Sequence, residues 1–336
     1  MKLKWITNPV TIDKEFITTE VASGNNVIVQ FDDTIYTDEI LSDLNTLALE
    51  LDTNLEIRFY GHDKNTFDCA TLLKVDNVKS LSINCLKKVK NLGELSKLKQ
   101  LEKFTFGIEE FKETEILNSE NLKSIRDLSI ATKKTKNLNL EYLKGYDKLV
   151  SLSVSGPFKN IAAIGEAKEL TTLRLSSISG KVPLDFVNQL NNLKLLHISL
   201  GSRDNIDEIN GGNIETLKLL WIKNLTSLDN IHRFKHLTYL QVENQAQITT
   251  ITFNSEMKSL TRLGIINCKG LTTLDGLKNL TSLKMLVITR SLKLDFESVI
   301  NQELSSSIEH FNFVTERKGL DKNIKEKIRS LGYKTT

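Results

Sequence analysis

At 336 residues with 40% hydrophobic side chains, the chain is larger than one ordinary core, so it forms either two domains or a repeat array. A net charge of +3 is too small to argue for nucleic acid by itself. No stretch reaches the roughly 18 apolar residues that a membrane helix needs.

The chain opens MKLKWITNPVTIDKEF, with two early lysines but no apolar run after them; Asn8, Pro9, Asp13, Lys14 and Glu15 interrupt it. No secretory leader is expected, and a cytoplasmic setting is. Residues 1–77 read as a divergent cap, because a solenoid end would otherwise expose its core. Within them Val27–Phe31 (VIVQF) alternates as a strand. Thr37–Leu51 has helical spacing at Ile40, Leu41, Leu44, Leu47 and Leu51, with Thr37 as N-cap. Asn54–Gly61 (NLEIRFYG) predicts another strand. The segment resolves into two enlarged, irregular repeat units.

From Val78 to Val314 one pattern recurs: apolar, two variable, apolar, one variable, apolar. It reads VKSLSI from Val78, LEKFTF from Leu101, IRDLSI from Ile125, LVSLSV from Leu149, LTTLRL from Leu170 and LKLLHI from Leu193. It goes on as LKLLWI from Leu217, LTYLQV from Leu237, LTRLGI from Leu260, LKMLVI from Leu283 and IEHFNF from Ile308. The starts lie 20 to 25 residues apart, the period of leucine-rich repeats. Successive side chains of a strand face opposite ways, so the fourth and sixth residues of each unit point inward and the third, fifth and seventh outward. A single unit cannot bury its apolar face, so about eleven repeats (78–314) must stack into a curved α/β horseshoe with a parallel concave sheet.

Between strands, Leu271, Leu274, Leu277, Leu280 and Leu283 fall three apart, as do Leu225, Leu228, Ile231, Phe234 and Leu237. That spacing predicts short helical or 3-10 turns on the convex side; Leu184–Leu190 suggests a true helix. Residues 315–336 form a second cap, with a basic helix over Asp321–Leu331 ended by Gly332.

The segment LTTLDGLKNLTSLKMLVIT resembles the repeats of bacterial internalin-type leucine-rich-repeat proteins. The resemblance implies the solenoid fold over residues 78–314 and a binding role, but no particular partner. The family's repeat places asparagine three residues after the last strand apolar. Here Glu109, Lys133, Pro157, Gly201, Leu225, Gln245, Cys268 and Ser291 occupy that slot, and Asn224, Asn244 and Asn267 sit one position early. Irregular turns are expected.

No catalytic motif stands out: G-x-S-x-G, the P-loop, G-x-G-x-x-G and H-E-x-x-H are all absent. His232 and His236, four apart, have no carboxylate at useful spacing and read as a solvated pair. Cys69, Cys85 and Cys268 are too widely spaced for a disulfide framework or a C-x-x-C metal pair and read as buried thiols. Neither an enzyme, a cofactor nor a metal is expected.

Alternation instead points to the concave C-terminal half. Trp221, lying between Leu220 and Ile222, should be forced outward, with Leu195, Leu219, Tyr239, Met285 and Val287 beside it in one apolar patch. His197, Gln241 and Arg262 complete the surface, Lys223, Glu243 and Arg290 rim it, and Gly264 leaves a shallow gap beside Tyr239 and Arg262. The function expected is a non-catalytic module binding a partner protein there, within that class a bacterial immunity protein or adaptor. A nucleic-acid or anionic-ligand binder is a second reading. It is disfavoured because Lys103, Arg126, Arg174, Lys194, Lys218 and Arg262 are interspersed with Asp127 and Glu243. An exported adhesin-like protein lacking its leader is a third.

Overall fold

The computed structural model describes residues 2–33, 35–62, 66–135 and 138–335; the side chains of Cys85 and Leu86 lie outside that description. The chain is a leucine-rich-repeat solenoid, and its two compact units, Met1–Leu170 and Thr171–Thr336, are taken in turn.

In the first unit, β1 (Leu3–Thr7), α1 (Lys14–Ala22), β2 (Asn26–Phe31), α2 (Asp38–Leu51), β3 (Leu55–Tyr60) and the two-residue β4 (Phe67–Asp68) precede the regular repeats β5 (Ser80–Lys90), β6 (Lys103–Glu110), β7 (Asp127–Ala131) and β8 (Ser151–Ser155). Helix α2 starts where its sequence predicts: the Thr37 hydroxyl accepts from the Ile40 N–H, and Ile40, Leu41, Leu44, Leu47, Ala48 and Leu51 are buried. Strands β1, β2 and β3 pair in parallel and run on into β5, so the N-terminal residues are built into the same sheet as the repeats. Neither β1 nor α1, which Asp13 caps through the Phe16 N–H, is anticipated from the sequence.

The second unit stacks β9 (Thr172–Ser176), β10 (Leu195–Ser199), β11 (Thr216–Leu220), β12 (Tyr239–Glu243), β14 (Arg262–Ile266), β16 (Met285–Thr289) and β17 (His310–Val314) in parallel, one per repeat. The chain returns through 3-10 turns at Asp185–Gln189, Ile231–Arg233 and Leu277–Asn279, and a small second sheet pairs β13 (Thr250–Thr252) with β15 (Thr273–Asp275). Every leucine of the Leu271–Leu283 series is buried, because spacing of three keeps one edge of such a turn facing the core. The Leu184–Leu190 segment is one of these 3-10 turns and not an α-helix. The short α3 (Phe296–Ile300) and α4 (Lys318–Ser330) follow β16 and β17. Ile324 and Ile328 are the buried side of α4, Gly332 turns the chain back at φ 92°, and Lys334 pairs alongside His310 beyond β17.

One repeat is out of phase with its expected register. β11 aligns Leu196 with Leu217 and Ile198 with Leu219, so the unit begins at Ile214 (IETLKL) and not at Leu217. Leu217 and Leu219 are fully buried, and the outward positions are Thr216, Lys218 and Leu220. Stacking decides between the two phases: starts at 193, 214 and 237 keep neighbouring repeats closer to equal length than starts at 193, 217 and 237.

Candidate binding face of the second unit

After each strand of this unit the chain must turn away from the sheet while its next N–H continues the ladder. Ser177, Leu200, Trp221, Asn244, Asn267 and Arg290 do this in a left-handed conformation, with φ between 52° and 58°. Their N–H groups donate to the last carbonyl of the next strand: Leu200 to Leu220 (2.9 Å), Trp221 to Glu243 (3.0 Å), Asn244 to Ile266 (2.8 Å) and Asn267 to Thr289 (2.7 Å). The turns are therefore regular, contrary to the expectation from the missing asparagines. Asn244 and Asn267 suit the left-handed position itself. The inward slot that follows holds Ile222, Gln245, Cys268 and Ser291, all buried. Gln245 Nε2 donates to the Leu219 and Glu243 carbonyls at 3.1 and 2.9 Å, and Cys268 Sγ lies 3.5 Å from that of Val242. These side chains do the ladder's work for the usual amide.

Trp221 is thus exposed by a turn and not by strand alternation. It is 57% accessible, and Leu200, one repeat earlier at the equivalent position, is 48% accessible. Both are apolar side chains in a backbone region that L-residues enter at a cost of about 1–2 kcal/mol. They border a groove of ≈ 510 Å³ whose walls include Ile222, Lys223, Asn244, Ala246 and Asn267.

The expected continuous apolar patch is broken. Leu219 is in the core, Thr216 separates Leu195 from Tyr239 along the third column, and Lys218 separates His197 from Gln241 along the fifth. Lys223 lies beyond the turn, where it bridges Ser202, and is not in the seventh column; Leu220 is. Arg290 is the left-handed turn residue after β16 and pairs with Glu316. Met285 and Val287 remain outward and half-buried on β16.

What the sheet gathers instead is a polar and cationic cluster around Tyr239. Its ring is flanked by the Arg262 guanidinium at 4.9 Å and the Lys218 ammonium at 5.6 Å from the centroid. The hydroxyl donates to Gln241 Oε1 (2.9 Å), and Gln241 Nε2 donates to Glu243 Oε2 (2.6 Å). Asn244 Nδ2 donates to Glu243 Oε1 (3.1 Å), and Asn267 donates to Asn244. The gap at Gly264 is not open: a Cβ there would meet the Tyr239 hydroxyl at 3.9 Å, so the ring tip leans over it. Burial pushes the Tyr239 hydroxyl above its usual range, opposed by Arg262. Half-buried His197 is held below its ordinary value first by burial, then by Lys218 and Arg174 on the strands either side. Its Nε2 is buried without a hydrogen-bond partner.

Elsewhere, Cys69 and Cys268 are buried free thiols, pushed by burial up to about 12 and about 11. Among the described residues no group of three His, Cys, Asp or Glu could hold a metal, and no helix is long and apolar enough to cross a membrane. In the first unit the Arg58 guanidinium lies over the rings of Trp5 (5.7 Å) and Tyr60 (4.5 Å), a cluster that the sequence reading missed because it took no strand over Leu3–Thr7.

No protein-family model matches the sequence, and no curated protein matches it. Solved structures do match. TLR13, in its complex with ssRNA13, is 14% identical with a TM-score of 0.51; the match covers 90% of this chain and 48% of that one. A leucine-rich-repeat protein of Leptospira interrogans is 19% identical, with a TM-score of 0.49 over 93% and 89% of the two chains. An internalin of Listeria monocytogenes is 14% identical, with a TM-score of 0.44 over 85% and 76%. Similarity at these identities speaks to the fold alone.

Proposed function

We propose that this internalin-like leucine-rich-repeat protein is a non-catalytic interaction module, and that a partner protein docks on the open sheet face of Thr171–Thr336 and along its turn edge. The observation that carries the reading is the display of Leu200 and Trp221. Two large apolar side chains stand in left-handed turn positions where the neighbouring repeats place Ser177, Asn244 and Asn267. Backbone strain kept at an exposed site is a pointer to function, and tryptophan is the residue type most often found to anchor an interface. The adjoining groove gives such an anchor a complementary recess.

An adaptor, or a bacterial immunity protein that occludes a toxin, is the role this surface suits: each needs a rigid face and no chemistry. Two buried, unpaired thiols support a reducing compartment such as the cytoplasm.

A photoreactive amino acid placed at Leu200 or Trp221, and at exposed Lys235 as a control, tests the reading in the producing cell. A discrete protein crosslinked from the first two positions and not from the third is expected. Equal capture from all three would overturn it.

A further inference from the structure

The sheet face of the second unit carries an excess of cations. Off that face several cations have carboxylate partners: Lys194 pairs with Glu215 at 2.7 Å, Arg203 with Glu208 at 2.7 Å, Lys258 with Glu256 at 3.5 Å, and Arg290 with Glu316. On the face, at the outward positions of β9 to β17, stand three cations, Arg174, Lys218 and Arg262, and one carboxylate, Glu243. No carboxylate lies within ion-pair distance of any of the three among the described residues. The one carboxylate is already engaged by Gln241 and Asn244.

Their arrangement adds to the imbalance. Arg174, His197 and Lys218 occupy the fifth position of three consecutive paired strands, which places them roughly 5 Å apart along one row. Arg174 and Lys218 stand two strands apart, and the His197 imidazole between them is held below its ordinary value by burial and then by the same two cations. Lys218 and Arg262 reach the Tyr239 ring from the strands on either side of β12. The ring supports both heads without neutralising either. The outward positions beside this row are Thr172, Leu195 and Thr216 on one side and Ser176, Ser199 and Leu220 on the other, and Ile266, Met285 and Val287 stand on β14 and β16 beyond Tyr239. Unneutralised cations interspersed with aliphatic side chains are complementary to a surface on which carboxylates are interspersed with aliphatic side chains. It is a poorer match to a phosphodiester backbone. Single-stranded nucleic acid binding combines a basic groove with successive aromatic platforms, and Tyr239, already flanked by two cations, is the only strand aromatic on this part of the face besides the half-buried imidazoles.

From this we infer that the partner contacting the sheet face is an acidic protein segment, whose carboxylates meet Arg174, Lys218 and Arg262 and whose aliphatic side chains meet Leu195, Met285 and Val287. The inference rests on the interaction-module reading and names the chemistry of the partner. Electrostatic complementarity of this kind sets orientation and speeds encounter.

The test uses the full chain and two fluorescent probes, a peptide rich in glutamate and leucine and a single-stranded oligoribonucleotide, titrated at low and at physiological salt. The peptide is expected to bind, with affinity falling as salt screens the exposed charges. Lys218→Gln with Arg262→Gln should weaken it about tenfold. Glu243→Gln, which removes the opposing carboxylate and keeps an amide in its place, should strengthen it. Lys235→Gln with Lys278→Gln, the same charge change at exposed positions off the face, should leave it unaltered. Four results overturn the inference: no peptide binding, equal loss in both double variants, weakening by Glu243→Gln, or tighter binding of the RNA than of the peptide. If any of these is found while crosslinking from Leu200 and Trp221 still captures one protein, the acidic chemistry falls and the interaction module stands.

Discussion

Along the fifth position of each repeat the first unit places Ser82, Thr105, Ser129 and Ser153 on β5 to β8, whereas the second places Arg174, His197, Lys218 and Gln241 on β9 to β12. Beneath both rows the inward positions are the same: Leu81 and Ile83, Leu128 and Ile130, Leu173 and Leu175, Leu217 and Leu219, all buried. The alternation that builds the core leaves the outward columns free, so one scaffold can carry a column of short hydroxyl side chains in one unit and a column of long polar and cationic ones in the other. Short hydroxyl side chains bury little and bind little. The long cationic side chains of the second unit cost conformational entropy when ordered and here have no carboxylate partner among the described residues, which is what makes that face the candidate.

The sharpest way to break the comparison is to ask which side chains of β11 are core. Leu219→Ala should cost about 2–5 kcal/mol, as for other fully buried leucines, and Lys218→Ala should stay within about 0.5 kcal/mol; denaturant unfolding measures both. The reverse order would return Leu219 to the surface and dissolve the cationic row. Next in size is the strain at the turn. Trp221→Asn puts at φ 56° the residue type already used by Asn244 and Asn267, and should raise stability by about 1 kcal/mol while removing the anchor. A loss of stability would mean that the indole packs usefully on its own chain.

The smallest effect concerns pH. The His197 imidazole is held below the ordinary 6.5 by burial, then by Lys218 and Arg174. The unfolded chain therefore takes up a proton near pH 6.5 that the native chain still refuses, and stability falls as pH drops from 6.5 towards the lowered native value, then levels off. Wild type should lose stability over that window relative to His197→Gln, read by unfolding at matched pH values. Parallel curves would mean that the imidazole is as easily charged folded as unfolded. No serine of the first unit's face can contribute such a dependence.

Much of this was legible in the residues. The period, the inward columns, the Thr37 cap and the 3-10 spacing each follow from local rules, and each strand expected at the other repeats is present. The failure at β11 has a physical cause. IETLKLLWIKNL contains more apolar residues than one unit needs, so the template fits from Ile214 or from Leu217, and only stacking against the neighbouring repeats selects the first. The same error hid Lys218 and Leu220 from the candidate site and placed Leu219 in it. The exposure of Leu200 and Trp221 depends on backbone conformation after the strand, which hydrophobic periodicity does not report. The Tyr239 cluster depends on side chains meeting across strands, which periodicity locates by column but cannot orient.

Everything functional turns on the phase of that repeat, and single-cysteine labelling reads it directly. In a Cys85→Ser background, with Cys69 and Cys268 buried, cysteines placed one at a time from Leu217 to Ile222 are exposed to a maleimide under native conditions. The structure requires rapid labelling at 218, 220 and 221 and protection at 217, 219 and 222. Rapid labelling at 219 with protection at 220 would put the indole back in the strand and contradict the account.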